Sequence, residues 1–553
     1  MNGGFILLRG SGIGRLASGL LFLIFMAHCS GQTPPKSTFF STAAEESYST
    51  YQLPGDGDLW PSCWAADGNL YAANGDGMAF DPYTKPVDIN KRYDMAVSRI
   101  SGMPPHLSGK TIARDVGSDW SGPKYNRKPT GMLCIHGAIY LAFQNLLKWH
   151  FSDAPAASIA KSTDNGVTWT WDKSAPMFGR PGEPNSPTAY MFTTIFFLDF
   201  GRDSENAIDH YVYAYGLDHN WSGQQTLYLA RVPDNEIQNR SAWEFFTGNN
   251  AQGSPEWSND ITLKRPVLED RRLLYPDGSG KHCQAKQPVI GQGGVVYDKP
   301  LRRFLFTSWS CATNQMYEAP QPWGPWSLFL SKDFGSLFAD HNYGQYGTSI
   351  PSKFISADGK TLYLQSNVWV LGYTFALRHV YLEPFQPATP VNRSSGENLA
   401  LAPGTRAISK STHFGSLCGL DCSDSIADGE ASGSEDDFDG SPKKADWWGY
   451  QWPQPYNFNE VLYETGKMSP DGGWYTSAPR VQVYQNFHWV DVAGVTVTPP
   501  YPESTAAGPH RVYTFKFPET SGYGMRIIGV PGGSGHYTSI ARLAVYFKNG
   551  EVH

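Results

Sequence analysis

The sequence is poor in charged residues. Asp, Glu, Lys and Arg make up 17% of its 553 residues, against about 25% in an average soluble domain. The formal net charge is −7, and the first thirty residues carry two arginines and no acid, so the remaining chain is at −9. An acidic chain of this kind is not expected to bind nucleic acid or an anionic membrane surface.

Several motifs of common enzyme classes are also absent. The sequence has no P-loop, no dinucleotide-binding glycine motif after a predicted strand, no H-E-x-x-H and no G-x-S-x-G, which argues against nucleotide, zinc-protease and serine-hydrolase chemistry. Cysteine and histidine spacings typical of zinc sites are missing as well. We therefore expect no metal and no cofactor for catalysis.

What the chain has in excess is aromatic and turn-forming residues. Aromatic residues make up 14%, and 57 Gly with 40 Pro are about a sixth of the chain, below the roughly 25–30% typical of disordered sequence. Aromatic side chains favour pleated strands, and short strands need many turns. The composition therefore predicts an all-β fold.

Residues 1–30 are predicted to be a secretory signal peptide. Two arginines precede an apolar run from Leu16 to Ala27, which is too short to span a bilayer, and no transmembrane segment is predicted later. We expect the protein to be secreted, or held at the cell surface or in the periplasm. Cys29 leaves a lipoprotein open, although His28 stands where a small residue is expected.

Six cysteines follow the predicted signal, an even number that suits up to three disulfides in an exported chain. Cys418 and Cys422 form the simplest local pair. Cys63 and Cys134 lie in strand-like segments, so buried free thiols are an equal alternative for them.

Five segments between residues 51 and 388 each start with a strand-like run, followed by a second one. The first runs are 63–77, 131–146, 210–217, 293–310 and 358–369, and the second are 94–100, 157–162, 226–232, 326–332 and 375–382. Five such segments are consistent with small sheets repeated around a central axis, an arrangement that protects the sheet edges. The sequence therefore predicts a linker at 31–50 and a five-bladed β-propeller catalytic domain over 51–388.

Two segments, Ser162–Trp169 and Ser331–Phe338, share the pattern Ser-x-Asp-x-Gly-x-x-aromatic. The pattern resembles the Asp-box of sialidase-like propellers, in which the aspartate accepts backbone hydrogen bonds in a tight turn and glycine supplies the backbone freedom. Asp164 and Asp333 are therefore predicted to be structural rather than catalytic.

Residues 389–397 are predicted to be a linker, and residues 398–553 a second domain. This domain resembles the coagulation factor 5/8 type C (discoidin-like) family on motifs that include Trp447-Trp448-Gly449-Tyr450 and Trp489-Val490-Asp491-Val492. The resemblance implies a β-sandwich (jelly roll), which in many exported carbohydrate enzymes binds sugar. Such modules stack sugars on loop aromatics, so the candidate sugar-binding residues are Trp474, Tyr475 and His536, with core packing as the alternative.

The acidic run from Asp428 to Asp439 offers oxygen ligands for Ca²⁺, and the discoidin-like family often holds a structural calcium. A solvated loop is the alternative interpretation, because the run has no fixed ligand spacing.

The first predicted unit places two carboxylates together. Asp58 precedes one strand, Asp67-Gly68 forms a hairpin turn, and Asp76 closes the return strand. A hairpin returns its ends to one level, so Asp58 and Asp76 are expected at one rim, whereas Asp67 points to the opposite end. Two carboxylates at one rim are what glycoside hydrolysis needs, one as acid and the other as base or nucleophile.

The same stretch resembles the opening of a bacterial propeller family, once catalogued as a domain of unknown function, whose members include endo-D-arabinanases. The shared pattern is Asp58, then Asp67-Gly68-Asn69-Leu70-Tyr71, then Gly75-Asp76. The resemblance implies that Asp58 and Asp76 are the catalytic pair. Asn74, where an aromatic residue is usual, departs from the pattern.

Further substrate-binding candidates precede or flank the predicted inner strands: Trp60, Trp64, Lys128, Gln287 and Lys353. The two tryptophans offer a stacking platform, with packing between blades as the alternative, and the other three are alternatively solvated surface residues. Glu183 is a candidate third carboxylate.

The sequence thus predicts an exported glycoside hydrolase acting on a polysaccharide, an arabinan-like furanoside in the first instance, with a sugar-binding module. The alternatives are a non-catalytic carbohydrate-binding or adhesion protein, a sialidase-like enzyme, and a polysaccharide lyase that uses Tyr93 or His210.

Overall fold

The computed structural model describes residues 33–46, 51–83, 92–117, 127–146, 153–179, 191–218, 221, 223–274, 286–311, 313–333, 346–368, 374–385, 389–410, 426–427, 433–438, 443–502 and 507–549. The elements here are strands and five 3-10 helices: Arg202–Ser204, Arg240–Ala242, Ile261–Leu263, Ser352–Phe354 and Leu399–Leu401. The predicted all-β class is confirmed. Within these ranges, no helix has the length and apolar composition to cross a membrane.

The strands are numbered in chain order. The first group is β1 (Phe40–Glu45), β2 (Tyr51–Leu53), β3 (Asp56–Asp58), β4 (Ser62–Trp64), β5 (Leu70–Ala79), β6 (Tyr93–Met103), β7 (His106–Ala113), β8 (Arg127–Ile135), β9 (Ala138–Asn145), β10 (Ala156–Ser162) and β11 (Phe178–Gly179). The second is β12 (Thr194–Asp199), β13 (Tyr211–Leu217), β14 (Thr226–Pro233), β15 (Glu244–Asn249), β16 (Pro255–Ser258), β17 (Pro266–Glu269), β18 (Leu273–Leu274), β19 (Gln287–Pro288), β20 (Gly293–Asp298), β21 (Arg303–Ser310), β22 (Thr313–Ala319) and β23 (Ser327–Asp333). The third is β24 (Tyr346–Ser349), β25 (Thr361–Val368), β26 (Thr374–Pro384), β27 (Arg406–Ser409), β28 (Glu435–Asp436), β29 (Asp446–Thr465), β30 (Arg480–Gln485), β31 (His488–Asp491), β32 (Thr496–Thr498), β33 (Val512–Gly529) and β34 (Ser539–Tyr546).

Strands β3 to β23 form consecutive antiparallel meanders. The first has the order β3-β5-β6-β7 with β4 on β5, and the second β11-β10-β9-β8. The next sheet runs β16-β15-β14-β13-β12-β20-β21-β22-β23 with β17 on β14. Its two halves are antiparallel meanders joined by the parallel pair β12 and β20, where Leu198 lies opposite Val295. Strands β18 and β19 form a separate pair.

The run 210–217, expected to start a unit, forms β13, and β12 lies before it in its sheet. Likewise the run 358–369 contains β25, and β24 precedes it. Both expectations were wrong, because each predicted first strand is the second strand of its meander. Strands β12 and β24 are short, with six and four residues, so neither carries enough alternation to be recognised in the sequence.

The last of these sheets brings together strands from the beginning and the end of residues 40–384. Its order is β1-β26-β25-β24, and β2 also pairs with β26. Strand β1 is antiparallel to β26, with Ala44 opposite Tyr381. Part of the predicted linker at 31–50 is therefore a strand, because Phe40 and Ala44 are buried and β26 would otherwise present an open edge.

Buried apolar side chains form five clusters, each combining residues of two of these meanders. The pairs that share a cluster are Tyr71 with Leu141, Tyr140 with Phe197, Tyr215 with Phe306, Leu305 with Leu362, and Phe375 with Leu70. Each meander therefore packs on the next, and the last packs on the first. Packing on both faces leaves every residue of β8 and β9 buried, without the alternation of a half-exposed strand.

The C-terminal strands form an eight-stranded antiparallel sheet of order β28-β34-β29-β33-β30-β31, with β27 on β29 and β32 on β33. The long strands β29 and β33 are 20 and 18 residues and pair along most of their length, with register shifts. Aromatic residues such as Trp452, Tyr463 and Phe515 fill the core enclosed by this sheet.

A disulfide links Cys63 of β4 to Cys134 of β8, 71 residues apart. Of the two alternatives for this pair, the free thiols are therefore wrong. Cys311 is also disulfide-bonded. The predicted pair Cys418–Cys422 lies outside the described residues.

The turn at Asp164 has the structural role expected from its sequence. The carboxylate accepts hydrogen bonds from Ser162 Oγ at 2.8 Å and from the Thr168 amide at 2.9 Å, and Gly166 has φ +82°. In the second segment with this pattern, the glycine and the aromatic residue after Asp333 lie outside the described residues.

We predict that Phe40→Ala lowers the free energy of unfolding by about 3–5 kcal/mol, as expected for truncating a buried phenylalanine. Phe40 is 3% exposed and packs on Phe329 at 5.0 Å between ring centroids. Urea unfolding measures the change, with the exposed neighbour Thr38→Ala as the control. Equal stability of the two variants would show that β1 contributes nothing to the fold.

Candidate active site

Asp58 and Asp76 lie on adjacent antiparallel strands. Asp58 ends β3, Asp76 is in β5, and the register places Asp58 opposite Gly75. A Cβ at Gly75 would lie 2.5 Å from Asp58 Oδ1, so only glycine admits this carboxylate. The Asp58 side chain is 4% exposed and that of Asp76 is 24% exposed. The predicted hairpin geometry thus produces one buried and one accessible carboxylate.

Lys128 joins the two aspartates. Its Nζ forms an ion pair with Asp76 Oδ2 and lies 3.9 Å from Asp58 Oδ2. The lysine side chain is 2% exposed and reaches the pair from β8, in the neighbouring sheet. The structure therefore brings together three of the residues that the sequence predicted as site residues.

Tyr346 also contacts Asp58. Its hydroxyl donates a hydrogen bond to Asp58 Oδ2 at 3.3 Å, and its ring meets that of Trp309 edge-to-face with 4.5 Å between centroids. Tyr346 begins β24 and Trp309 is in β21. The site is thus built from strands distant in sequence.

The environment of Asp58 favours its protonated form. Burial raises the pKa of Asp58 to about 6, and the nearby Asp76 adds to this, while Lys128 and the Tyr346 hydrogen bond act in the opposite direction. Burial alone would lower the pKa of Lys128, but the two carboxylates outweigh it and the pKa is raised. The site therefore combines a carboxyl group that can hold a proton near neutrality with a permanent cation and a second carboxylate.

A second buried ion pair lies beside this group. Arg127 precedes Lys128 on β8 and pairs with Asp94 of β6, and both side chains are almost fully buried. Asp94 in turn raises the pKa of Lys128. Sequence reasoning missed Asp94, Arg127 and Tyr346. Asp94 opens a predicted strand and offered a weak signal, whereas Tyr346 stands in a glycine-rich stretch that offered none.

Of the two tryptophans near Asp58, the structure rules out Trp60 as a sugar-stacking platform. Trp60 is fully buried, donates from Nε1 to the Gly57 carbonyl at 2.5 Å and packs on Phe80 and Phe375. Its stacking role is therefore wrong, and the packing alternative holds. Trp64 is half-buried and packs against the same cluster.

Two other candidates lie away from the pair. Lys353 is buried on a 3-10 helix, where burial lowers its pKa and its electrostatic partner is Asp67. Asp67 is in the turn between β4 and β5, at the end opposite to Asp58, so Lys353 is not a ligand donor to this site. Gln287 pairs with Leu274 in the separate β18–β19 sheet. Glu183 lies outside the described residues.

The predicted sugar-stacking aromatics of the C-terminal part are mostly core residues. Tyr475 is fully buried and its ring meets Tyr463 at 6.0 Å, so its loop role is wrong. Trp474 is 8% exposed, and a Cβ at Gly532 would lie 2.0 Å from its Nε1, so it too is enclosed. His536 is exposed and stays a candidate. An indole or phenol in a loop has no sequence signal that separates packing from binding.

The calcium prediction stays untested. Of the acidic run, residues 433–438 are described, and no group of His, Cys, Asp or Glu in the described part of the chain is arranged to hold a metal ion. Asp437 is instead buried beside Asp446 and Lys443, and burial with the neighbouring Asp446 raises its pKa well above the usual value.

Residues 75–378 match the family described as a domain of unknown function, DUF4185. Because this match covers more than half of the chain, the chain belongs to that family. The matched segment includes Asp76 and Lys128, whereas Asp58 lies before its first residue. No curated protein matches the chain.

Solved structures of low similarity cover the chain in part. An exo-β-1,3-galactanase of Phanerochaete chrysosporium with galactose is 11% identical, with a TM-score of 0.34, over 91% of this chain and 100% of that one. A thermostable family-43 glycoside hydrolase is 12% identical, with a TM-score of 0.35, over 61% and 94%. A family 32 CBM of Clostridium perfringens NanJ with galactose is 19% identical, with a TM-score of 0.20, over 26% and 93%.

We predict that Asp58→Asn stabilises the protein progressively, relative to the wild type, as the pH rises from about 4 to 7. The folded protein binds the Asp58 proton more tightly than the unfolded chain, so its stability falls as the pH rises through this window. An asparagine does not titrate and escapes that loss. Urea unfolding at several pH values measures the difference.

Asp164→Asn is the matched control. Its turn hydrogen bonds lower the pKa of Asp164 to about 2, so its effect should be constant over the same pH range. If the difference between Asp58→Asn and wild type were equally constant, the raised pKa of Asp58 would be wrong.

Proposed function

We propose that the five antiparallel meanders are the blades of a five-bladed β-propeller and that the eight-stranded C-terminal sheet is a discoidin-like β-sandwich. The support is the succession of five apolar clusters, in which the last meander packs on the first. Residues from β8, β12, β20 and β24, together with Pro61 beside β4, also line one common cavity. A propeller would place its inner strands around such a cavity.

We further propose that the chain is an exported glycoside hydrolase. One observation carries the proposal: Asp58 and Asp76 converge on Lys128, and Asp58 is held in a setting that keeps its proton. Glycosidases commonly use one carboxylic acid with a raised pKa and one carboxylate. The chemistry of the site, rather than the fold, is the basis of the assignment.

The two aspartates take different roles because their surroundings differ. Asp58 is buried and acts as the general acid that protonates the leaving oxygen of the glycosidic bond. Asp76 is partly exposed and acts either as the base that deprotonates the attacking water or as the nucleophile that attacks the anomeric carbon. Lys128 and Tyr346 hold these two groups in place and are positioning residues in this scheme.

The substrate we propose is an arabinan-like furanoside polysaccharide, on the basis of the resemblance of Asp58, the Asp67-to-Tyr71 hairpin and Asp76 to the endo-D-arabinanase pattern. The Leu16–Ala27 run supports export of the chain. The C-terminal module would tether the enzyme to polysaccharide and raise the effective substrate concentration.

We predict that Asp58→Asn and Asp76→Asn each reduce polysaccharide hydrolysis by at least about 100-fold, as expected when an acid or base is lost. Release of reducing ends from a panel of arabinans, galactans and sialosides measures the activity. The control is Asp67→Asn in the turn of the same hairpin, which should retain activity. Full activity of both site variants would reject the assignment, and binding without release by the wild type would favour a lectin.

We predict that kcat/KM of the wild type falls above about pH 6, because Asp58 must be protonated to act as an acid. The Tyr346 hydrogen bond lowers the Asp58 pKa, so Tyr346→Phe should move this fall to higher pH. The control is Tyr363→Phe of β25, whose ring lies over His379 at 4.3 Å. If kcat/KM fell at the same pH in Tyr346→Phe and Tyr363→Phe, Tyr346 would not be a positioning residue for Asp58.

A further inference from the structure

A second cleft lies away from the Asp58 site. Its volume is about 410 Å³, within the roughly 300–1,000 Å³ of small-molecule sites. One wall comes from β1 and β23 through Glu45 and Lys332, and the opposite wall from the C-terminal sheet through Trp447, Trp489 and Arg526. None of these residues takes part in the proposed hydrolysis.

The aromatic wall is ordered by a cation. The Arg526 guanidinium lies 4.7 Å from the centroid of the Trp447 ring and 4.5 Å from that of the Trp489 ring. Its Nε donates to Gln482 Oε1 at 2.8 Å. The two indoles, on β29 and β31, are each half-buried. They are thus fixed in place while part of each side chain lines the cleft, where it can make apolar contact with a ligand.

The opposite wall supplies hydrogen-bonding groups. Glu45 is 2% exposed, and its Oε1 accepts from Asn314 at 2.9 Å, whereas the buried Oε2 has no hydrogen-bond partner among the described residues. Lys332 Nζ donates to the Glu45 carbonyl at 2.8 Å. A buried acceptor without a donor is costly, and a ligand hydroxyl that reached Glu45 would satisfy it.

The charges around the cleft select the class of ligand. The cleft is lined by three cations, Lys332, Lys410 and Arg526, and by four carboxylates, Glu45, Asp333, Glu435 and Asp436. The acidic groups disfavour an anion, and a purely apolar ligand would leave the polar groups unpaired. A neutral sugar presents flat C–H faces to indoles and hydroxyls that both donate and accept, so it matches both walls.

We propose that this cleft is a second carbohydrate site, which binds a neutral saccharide on Trp447 and Trp489 with its hydroxyls toward Glu45. The proposed function contributes only the choice of probes. The cleft uses the outer face of the C-terminal sheet and residues of β1 and β23, and it does not include the loop residue His536.

Native affinity electrophoresis of the full chain tests the site, in gels that contain arabinan, β-1,3-galactan or polygalacturonate. We expect retardation by a neutral polysaccharide, and about tenfold weaker binding in Trp447→Ala and in Trp489→Ala, since truncating a central aromatic anchor costs at least this much. The matched control is Trp257→Ala, a half-buried tryptophan that contacts Arg231 at 4.3 Å elsewhere. Unchanged near-UV circular dichroism shows that each variant is folded.

Equal retardation of the wild type and both cleft variants would overturn the proposal, and so would retardation by polygalacturonate alone or by none of the gels. The readout is independent of catalysis. If Asp76→Asn retains full hydrolysis, the proposed function fails while the gel result stands. If reducing-end release from short oligosaccharides is equal in Trp447→Ala and wild type while retardation is lost, the cleft is separate from the active site.

Discussion

The packing of each meander on the next is the constraint on which the rest of the structure depends. Five apolar clusters are shared between neighbours, and the last one places Phe375 of β26 against Leu70 of β5. Strand β1 pairs with β26, so the beginning of the described chain lies beside the end of the segment. Because each cluster is shared, the position of a side chain on one sheet is fixed by its neighbours. Lys128 of β8 can therefore reach the aspartates of β3 and β5 reproducibly.

The buried lysine shows how packing and electrostatics are linked. A lone ammonium is costly to remove from water, and Lys128 is buried only because two carboxylates compensate its charge. Asp58 has the opposite balance, since its burial outweighs the attraction of Lys128. The same enclosure therefore keeps one group charged and allows the other to hold a proton. A difference of this kind is what acid–base chemistry requires.

The sequence was sufficient for what depends on local pattern. Composition predicted the all-β class, and the hairpin pattern predicted that Asp58 and Asp76 lie together, because a turn at Asp67 fixes the register of its two strands. It failed where the answer depends on distant packing. In the sequence, Trp60 and Tyr475 look the same as sugar-binding aromatics, yet both are buried. Trp60 is covered by Phe375, which lies hundreds of residues away in the chain. Tyr346 joins Asp58 across 288 residues, and β1 is a strand only because β26 is there.

The disulfide between Cys63 and Cys134 has a consequence for the rigidity of the site. Cys63 lies five residues after Asp58, and Cys134 lies six residues after Lys128, on β4 and β8. The covalent bond thus ties together the strand segments that bring the acid and its cation into contact. In a reducing compartment this tie would be missing. The separation of these two segments would then be limited by packing alone, so the disulfide restricts how far the acid and its cation can move apart.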